Sequence, residues 1–218
     1  AENTYGAIIG AQNNQCDYAE IDIQLSKDGI PVVIHDSNLS RLAFIDKEVS
    51  EMTADELEKI VIYEGKYHDN ILTLDHLLKK LKKEKIKLLI ELKSNHNHIE
   101  LSKKVIEAVE KNNFEKRTIF MSLDYNVVEY LQEKRPKWWI GYCVYGSAGE
   151  LDATIWNLKI DFLAVEENKI TVSFVDKANA CWIPVYVWSV DDSSRMKQYL
   201  DMGVSGIITN YPDRGYDV

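Results

Sequence analysis

The stretch that decides the fold is Tyr18-Ala-Glu-Ile-Asp-Ile-Gln-Leu25, in which apolar and polar side chains alternate. A period of two is typical of a β-strand that buries one face. The turn Asp28-Gly29 and the apolar run Val32-Val-Ile-His35 follow it. Two such runs on either side of a glycine turn predict a β-hairpin.

Further strands and helices are predicted on the C-terminal side of this hairpin. Apolar runs that predict strands lie at Lys87–Lys93, Thr118–Leu123, Trp139–Val144, Asp161–Val165, Pro184–Val190 and Gly206–Thr209. Helical periodicity is found at Leu74–Glu84, Ile99–Asn112, Tyr125–Lys134 and Ser193–Met202, and Thr53-Ala-Asp-Glu56 has the form of a capping box. Strands that alternate with helices predict βαβ units around a parallel sheet, which we interpret as one domain over residues 1–218. A (β/α)8 barrel needs eight parallel strands and only seven are predicted, so we expect the first strand to precede Ala1.

The composition narrows the class of protein. The chain has 218 residues, which suits a single α/β barrel of roughly 200–250 residues. A net charge of −9 argues against nucleic acid as a partner, and an anionic substrate would need a local cation or a bound metal. No apolar run approaches the roughly 18 residues of a membrane-spanning helix. Cys16, Cys143 and Cys181 are far apart in sequence, and we expect buried or half-buried free thiols.

Three acidic residues are candidates for a metal site. Glu20 and Asp22 share one face of the first strand, and Glu91 shares a face with Lys93 in Lys87–Lys93. Carboxylates that point into a barrel repel one another unless a positive charge lies between them. Oxygen ligands at strand ends suit a hard divalent cation such as Ca²⁺ or Mg²⁺. The alternative is a set of surface acids on a half-exposed sheet.

Other polar and aromatic residues have two interpretations each. His35 ends its strand beside Asp36 and can act as a general acid or base, or it can be a structural histidine. Trp188 and Tyr186 share a strand face and can form a wall for an apolar or sugar-like group, or pack in the core. His96 and His98 lack companion acids or cysteines nearby, which favours a solvated loop over a metal site.

Taken together, these residues resemble the glycerophosphodiester phosphodiesterase family. The resemblance is carried by Glu2-Asn3-Thr4, Glu20-Ile-Asp-Ile-Gln-Leu-Ser-Lys-Asp-Gly-Ile-Pro-Val-Val-Ile-His-Asp36, Leu39-Ser-Arg41, Leu72-Thr-Leu74, Glu91-Leu-Lys93, Ser122-Leu123, Trp188-Ser-Val190 and Gly203-Val-Ser-Gly-Ile-Ile-Thr209 with Pro212. These segments span nearly the whole chain, and the long second block is the most specific of them. Ser122-Leu-Asp-Tyr-Asn126 is similar to the soluble domain of membrane-anchored bacterial members, so we expect a parent protein attached to a membrane.

The resemblance implies a fold, an activity and a set of site residues. It implies a TIM (β/α)8 barrel of the PLC-like phosphodiesterase type, with the site at the C-terminal ends of the strands. The implied activity is metal-dependent hydrolysis of glycerophosphodiesters to glycerol 3-phosphate and an alcohol. Glu20, Asp22 and Glu91 match the family's metal ligands, and His35 matches one of two acid/base histidines. Lys93 matches the residue that contacts phosphate; Trp188 is the candidate for a further substrate contact.

Two departures from the family pattern leave alternatives open. The family's first strand ends in His-Arg-Gly, and these 218 residues contain no such motif. That difference predicts a truncated chain or, alternatively, a domain that binds glycerophosphodiesters or polyglycerol phosphate without turnover. Asn210 stands where the family usually has Asp, which changes a local charge contact. A sphingomyelinase-D-like phospholipase shares the acid pair but is usually longer and disulfide-linked.

Overall fold

A computed structural model of the chain describes residues 1–94, 97–145 and 153–215. The solvated-loop prediction at His96 lies outside these ranges, and the same prediction for His98 is wrong, because His98 is half-buried and begins a helix. By its internal contacts the chain divides into two compact units, Ala1–Phe120 and Met121–Val218. The interpretation of residues 1–218 as one domain stays a prediction.

The first unit contains the hairpin, a small second hairpin and helices of four to fourteen residues. Its strands are β1 (Tyr18–Leu25), β2 (Pro31–Val33), β3 (Val61–Glu64), β4 (Tyr67–Asn70), β5 (Leu72–Thr73) and β6 (Lys87–Leu92). Its α-helices are α1 (Tyr5–Asn13), α2 (Ser40–Ala43), α3 (Ala54–Leu57), α4 (Leu74–Lys80) and α5 (His98–Lys111). Short 3-10 helices lie at Val49–Glu51, Leu81–Lys83 and Glu115–Arg117, and β7 (Thr118–Ser122) contains the boundary between the units.

The strand pairing of the first unit aligns the two acidic strands. β1 pairs in parallel with β6, and Asp22 lies directly opposite Glu91 in that register. On its other side β1 pairs antiparallel with β2, which in turn pairs antiparallel with β5. The predicted hairpin is therefore confirmed, although β2 ends at Val33 and leaves His35 beyond the strand.

The turn of this hairpin has a clear local cause. The amide of Ser26 donates to the carbonyl of Ile30 (3.0 Å), and the hydroxyl of Ser26 donates to Asp28 (2.6 Å). Gly29 has a φ of 72°, a left-handed conformation that a side chain disfavours. The turn thus places the start of β2 against β1.

Burial in the first unit separates the two faces of β1. Ile21 and Ile23 are fully buried on one face, while Glu20 and Asp22 project from the other. A cluster of buried apolar residues also lies under the segment that follows β2. It includes Leu39, which is 1% exposed. The residues after His35 are therefore held to the unit by apolar packing.

The second unit is a parallel βα arrangement. Its elements are α6 (Tyr125–Lys134), β8 (Ile140–Val144), β9 (Phe162–Glu166), α7 (Val172–Ala180), β10 (Val185–Trp188), α8 (Ser193–Asp201) and β11 (Gly206–Ile207), with 3-10 helices at Ala153–Asn157, Glu167–Lys169 and Pro212–Gly215. β8 pairs with β9, β9 with β10 and β10 with β11, all in parallel. Its core is formed by the apolar residues of these strands and of α7 and α8.

Most predicted elements are present with boundaries shifted by a few residues. The predicted helix Leu74–Glu84 is α4 followed by a 3-10 turn, and the Thr53 capping box is formed with Glu56. Cys181 is exposed, so the expectation of buried or half-buried thiols is wrong for this residue. Within the described ranges, no helix is both long and apolar enough to span a bilayer.

Candidate active site

Three carboxylates meet at one side of the β1–β6 pair. Glu20 and Asp22 lie two residues apart on β1, and Glu91 is the register partner of Asp22 on β6. One oxygen of each carboxylate lies within 4.8 Å of the others. Among the described residues, Oε1 of Glu20 is buried and accepts no hydrogen bond. The structure therefore brings together the three predicted ligands and leaves Oε1 of Glu20 without a donor, while Oε1 of Glu91 is also buried and has the ion pair with Lys93 as its contact.

Lys93 provides a positive charge inside this group. Its Nζ lies 2.9 Å from Oδ1 of Asp22 and 2.9 Å from Oε1 of Glu91. The amide of Lys93 donates to the carbonyl of Ile23 (3.0 Å), which continues the parallel pairing beyond β6. Burial acts to lower the pKa of Lys93, but the Asp22 and Glu91 carboxylates outweigh it and raise the pKa. Lys93 therefore remains charged.

The pKa values of two of the carboxylates are raised. Burial raises the pKa of Glu20 most, and the negative charges of Asp22 and Glu91 raise it further. Burial also raises the pKa of Glu91, while the ammonium of Lys93 opposes that shift. Three clustered carboxylates near one lysine leave excess negative charge in a poorly hydrated place, which a further cation would stabilise.

Asn3 holds Asp22 through two hydrogen bonds. Its Nδ2 donates to Oδ2 of Asp22 (2.9 Å), and its Oδ1 accepts from the amide of Asp22 (2.8 Å). Asn3 has a φ of 56°, in the left-handed region that asparagine tolerates better than most residues. Thr4 then caps α1 by accepting from the amide of Ala7. Sequence reasoning assigned Asn3 no role beyond the family resemblance.

His35 lies just beyond β2 and is exposed. Its Nδ1 lies 2.6 Å from Oδ1 of Asp36. The carbonyl of His35 accepts from Nε2 of Gln24 (2.7 Å), a buried residue on the same face of β1 as Asp22. His35 and Lys93 line one open cleft of about 500 Å³. The structure thus brings these two predicted residues to the same cleft.

Gln24 and Arg41 are site residues that the sequence reasoning missed. Both line the cleft of His35 and Lys93. Gln24 continues the alternation of Glu20 and Asp22 along β1, so its position could have been read from the period of two. Arg41 offered only its place in the family resemblance, because its contact with Glu2 joins residues 39 positions apart and its contact with Asp36 follows no strand or helix period.

Trp188 lies in the second unit, at the end of β10. Its ring stacks on Tyr145 with 6.1 Å between centroids, and its buried Nε1 has no hydrogen-bond partner among the described residues. Tyr186 instead packs against Phe162 (5.0 Å between centroids), which agrees with the core-packing interpretation for that residue. A substrate contact by Trp188 stays a prediction.

Asn210 makes a local contact that an aspartate would not. Asp191 accepts hydrogen bonds from the amide of Asn210 (2.9 Å), from its Nδ2 (3.1 Å) and from the hydroxyl of Thr209 (3.0 Å). A carboxylate at position 210 would have no donor to offer Asp191. The departure at position 210 therefore matches the chemistry of its neighbour.

Comparisons with known proteins agree with this fold. The model of the Glycerophosphoryl diester phosphodiesterase family matches residues 1–214. The YhdW protein of Bacillus subtilis (strain 168) is 27% identical over 224 residues, which cover 97% of this chain and 90% of the relative. A glycerophosphodiester phosphodiesterase of Caldanaerobacter subterraneus subsp. tengcongensis is 26% identical over 219 residues, 97% of this chain and 89% of the relative.

A solved structure supports the fold. The Oleispira antarctica phosphodiesterase in complex with the product sn-glycerol-3-phosphate is similar with a TM-score of 0.87 and 22% identity, covering 98% of this chain and 89% of that one. The fold is thus that of an α/β protein of the TIM-barrel class, as the sequence predicted. With its acidic cluster beside a lysine, the chain belongs to the glycerophosphoryl diester phosphodiesterase family.

Proposed function

We propose that this chain hydrolyses glycerophosphodiesters to glycerol 3-phosphate and an alcohol. The observation that carries the proposal is the juxtaposition of Glu20, Asp22 and Glu91 with Lys93, which lines the same cleft as His35. Family membership over residues 1–214 supports the reaction class. The relatives named as glycerophosphodiester phosphodiesterases support the substrate class.

Glu20, Asp22 and Glu91 would hold a divalent cation, Ca²⁺ or Mg²⁺. The fit rests on an all-oxygen donor set and on the buried Oε1 of Glu20, which lacks a hydrogen bond among the described residues. When bound, the cation supplies Lewis-acid neutralisation of the non-bridging phosphoryl oxygens. Asn3 keeps Asp22 in place by its two hydrogen bonds.

The chain's own residues provide charge and a proton-transfer group. Lys93 is held charged by Asp22 and Glu91 and would contact a phosphate oxygen as negative charge grows there. His35 would transfer a proton at Nε2, taken from the water that adds to phosphorus or passed to the oxygen of the leaving alcohol as the phosphorus–oxygen bond breaks. Trp188 would contact the glycerol or alcohol part of the substrate.

The activity is tested by glycerol 3-phosphate release from glycerophosphocholine, with and without a chelator and with Ca²⁺ or Mg²⁺ added back. We expect cation-dependent release, lowered about 10²–10⁴-fold in His35→Ala. Glu20→Gln and Glu91→Gln should lose both release and cation-induced thermal stabilisation, because each removes a charged ligand. His76→Ala is the matched control, since His76 pairs with Glu58 and does not line the cleft.

Binding without product would favour the other candidate, a non-catalytic module for glycerophosphodiesters or polyglycerol phosphate. Calorimetry with glycerophosphocholine under the same conditions separates the two.

We also propose that this chain is part of a protein attached to a membrane. The support is the similarity of Ser122-Leu-Asp-Tyr-Asn126 to the soluble domain of membrane-anchored family members.

A further inference from the structure

A continuous series of charged contacts leads from Glu2 to His35. Arg41 donates to both carboxylate oxygens of Glu2, from Nη2 to Oε1 (2.6 Å) and from Nη1 to Oε2 (3.0 Å). Nε of the same guanidinium donates to Oδ2 of Asp36. The other oxygen of Asp36 contacts Nδ1 of His35 at 2.6 Å. Three segments of the first unit therefore meet in one network that ends on the imidazole.

The network determines which nitrogen of His35 carries a proton. An ionised carboxylate can only accept hydrogen bonds, so Asp36 requires Nδ1 of His35 to be the donor. In the neutral imidazole, Nε2 is then left without a proton and able to accept one. Arg41 fixes the second oxygen of Asp36 and so restricts rotation of that carboxylate.

Two members of the network, Glu2 and Arg41, are anchored by further contacts. The amide of Glu2 donates to Oε2 of Glu64 (2.7 Å), which holds the N-terminal segment against the β3–β4 hairpin. Arg41 lies on α2 between Leu39 and Leu42, which are 1% and 6% exposed. An isolated surface ion pair contributes little, but a two-pronged arginine–carboxylate contact within a network is the favourable case. The hydrogen bonds of Arg41 therefore form between segments that other contacts already hold in place.

We propose that Glu2 and Arg41 are positioning residues for His35, which act by fixing Asp36 so that Nε2 of His35 remains the nitrogen that takes up and releases the transferred proton. The inference rests on the role given to His35 in the proposed function. Neither residue needs to touch the substrate for this role. Their loss would leave Asp36 free to rotate and His35 free to take the other tautomer.

The test compares Arg41→Lys, Glu2→Gln and the double variant in the full chain. Lysine keeps the charge at position 41 but cannot bond to both carboxylates at once. We expect kcat for glycerol 3-phosphate release to fall roughly tenfold in Arg41→Lys and about threefold to tenfold in Glu2→Gln, with KM within about twofold. Because Glu2 acts through Arg41, the double variant should be no slower than Arg41→Lys alone.

A spectroscopic measurement separates positioning from a merely structural role. Histidine side-chain ¹⁵N spectra, with His35 assigned by His35→Ala, should show protonated Nδ1 in neutral wild-type His35 and a mixture of tautomers in Arg41→Lys. Glu107→Gln, which breaks an exposed pair with Lys104, is the control and should change neither kcat nor the spectrum.

Several outcomes would overturn the proposal. A raised KM with unchanged kcat in Arg41→Lys would make Arg41 a substrate contact. Loss of cation-induced thermal stabilisation in Glu2→Gln would assign Glu2 to the cation site, and an unchanged His35 tautomer in both variants would remove the mechanism. If wild type releases no product, the proposed function fails, while the ¹⁵N spectra still decide whether Glu2 and Arg41 hold His35.

Discussion

At the scale of single residues, the acidic cluster has its own internal counter-ion. Lys93 bonds to Asp22 and Glu91, and its side chain is only 18% exposed. Removing one partner of a buried ion pair is strongly destabilising, because it leaves uncompensated charge in a poorly hydrated place. We therefore expect Lys93 to stabilise the fold in addition to its proposed role as the phosphate contact.

Lys93→Met should lower the free energy of unfolding by about 3–5 kcal/mol in the presence of a chelator. Adding Ca²⁺ or Mg²⁺ should restore part of this loss, because a bound cation replaces the missing positive charge. Urea unfolding with and without the cation measures both effects. Lys197→Met is the control: it removes an exposed pair with Asp201 and should cost about 0.5 kcal/mol at most. An equally small loss in Lys93→Met would contradict the counter-ion role.

Which site residues could be predicted depended on how far apart their partners lie in sequence. Glu20, Asp22 and Glu91 could be proposed because strand periodicity fixes the face of each side chain. Asn3 contacts Asp22, 19 residues away, and Arg41 joins Asp36 to Glu2, which is 39 residues away, so no local pattern predicts these contacts. These contacts depend on tertiary packing, and no periodic pattern in the sequence indicates them.

At the scale of elements, β8 and β9 are packed too closely for any side chain at Gly141. A Cβ there would lie 2.2 Å from the ring of Phe162. That ring is fully buried and lies between Trp139 (5.9 Å) and Tyr186 (5.0 Å), so it cannot move aside. The glycine is required by this close approach of two strands.

Gly141→Ala should therefore destabilise the protein by about 1–3 kcal/mol or more, the usual cost of overpacking. Thermal unfolding followed by circular dichroism measures it. Gly10→Ala, in α1 with open space around the added methyl, should instead be stabilising by about 0.5–1 kcal/mol. Equal melting temperatures for the two variants would contradict this account of the β8–β9 packing.

A second element-scale contact joins α4 to α5 through Asp75. Asp75 contacts Nζ of Lys79 (2.6 Å), Nζ of Lys111 (3.1 Å) and Nδ2 of Asn112 (2.9 Å). Partial burial acts to raise the pKa of Asp75, but these three donors outweigh it and lower the pKa. A carboxyl group with a lowered folded-state pKa stabilises the fold above its unfolded pKa, and this contribution is lost as pH falls through the folded value.

Asp75→Asn should thus cost about 1 kcal/mol at pH 7, and the difference from wild type should shrink as pH falls below about 4. Urea unfolding at several pH values gives the two curves. Asp201→Asn serves for comparison, because its partner lies at 3.5 Å and both groups are exposed. If the difference in free energy of unfolding between wild type and Asp75→Asn grew as the pH fell, this account of Asp75 would be wrong.

The elements missed from the sequence have physical explanations. α1 contains two glycines and buries only Ile8, so it lacks the apolar stripe that identifies a helix. α7 begins with Val and Ser, which also suit a strand, and it is recognisable as a helix only through the cap that Thr171 provides to Phe174. The long periodic elements were predicted because their burial patterns repeat over several turns, as in Tyr125–Lys134.

At the scale of the whole molecule, the net charge of −9 adds a general response to salt. Monovalent ions at 0.1 M screen the repulsion between exposed acidic side chains that lie more than about 10 Å apart. A cation held by Glu20, Asp22 and Glu91 would act differently, since it binds the folded state and saturates. Both effects stabilise the fold, so they must be separated.

Titration with CaCl₂ or MgCl₂ should raise stability along a saturating curve, by about 2.7 kcal/mol at 100 times Kd. NaCl at equal ionic strength should give only a gradual rise. In Glu20→Gln the two salts should become equivalent. Chemical unfolding at matched ionic strength provides the measurement, and an identical response of wild type to both salts would argue against a specific site.

The short run Glu2-Asn3-Thr4 joins both parts of the site, since Glu2 leads to His35 and Asn3 bonds to Asp22. A change at the first few positions would therefore affect both the proposed proton-transfer group and the acidic cluster. An affinity tag, linker or chimaeric junction introduced there can perturb the candidate active site. Its design should therefore keep several unchanged residues as a spacer between the added segment and Glu2.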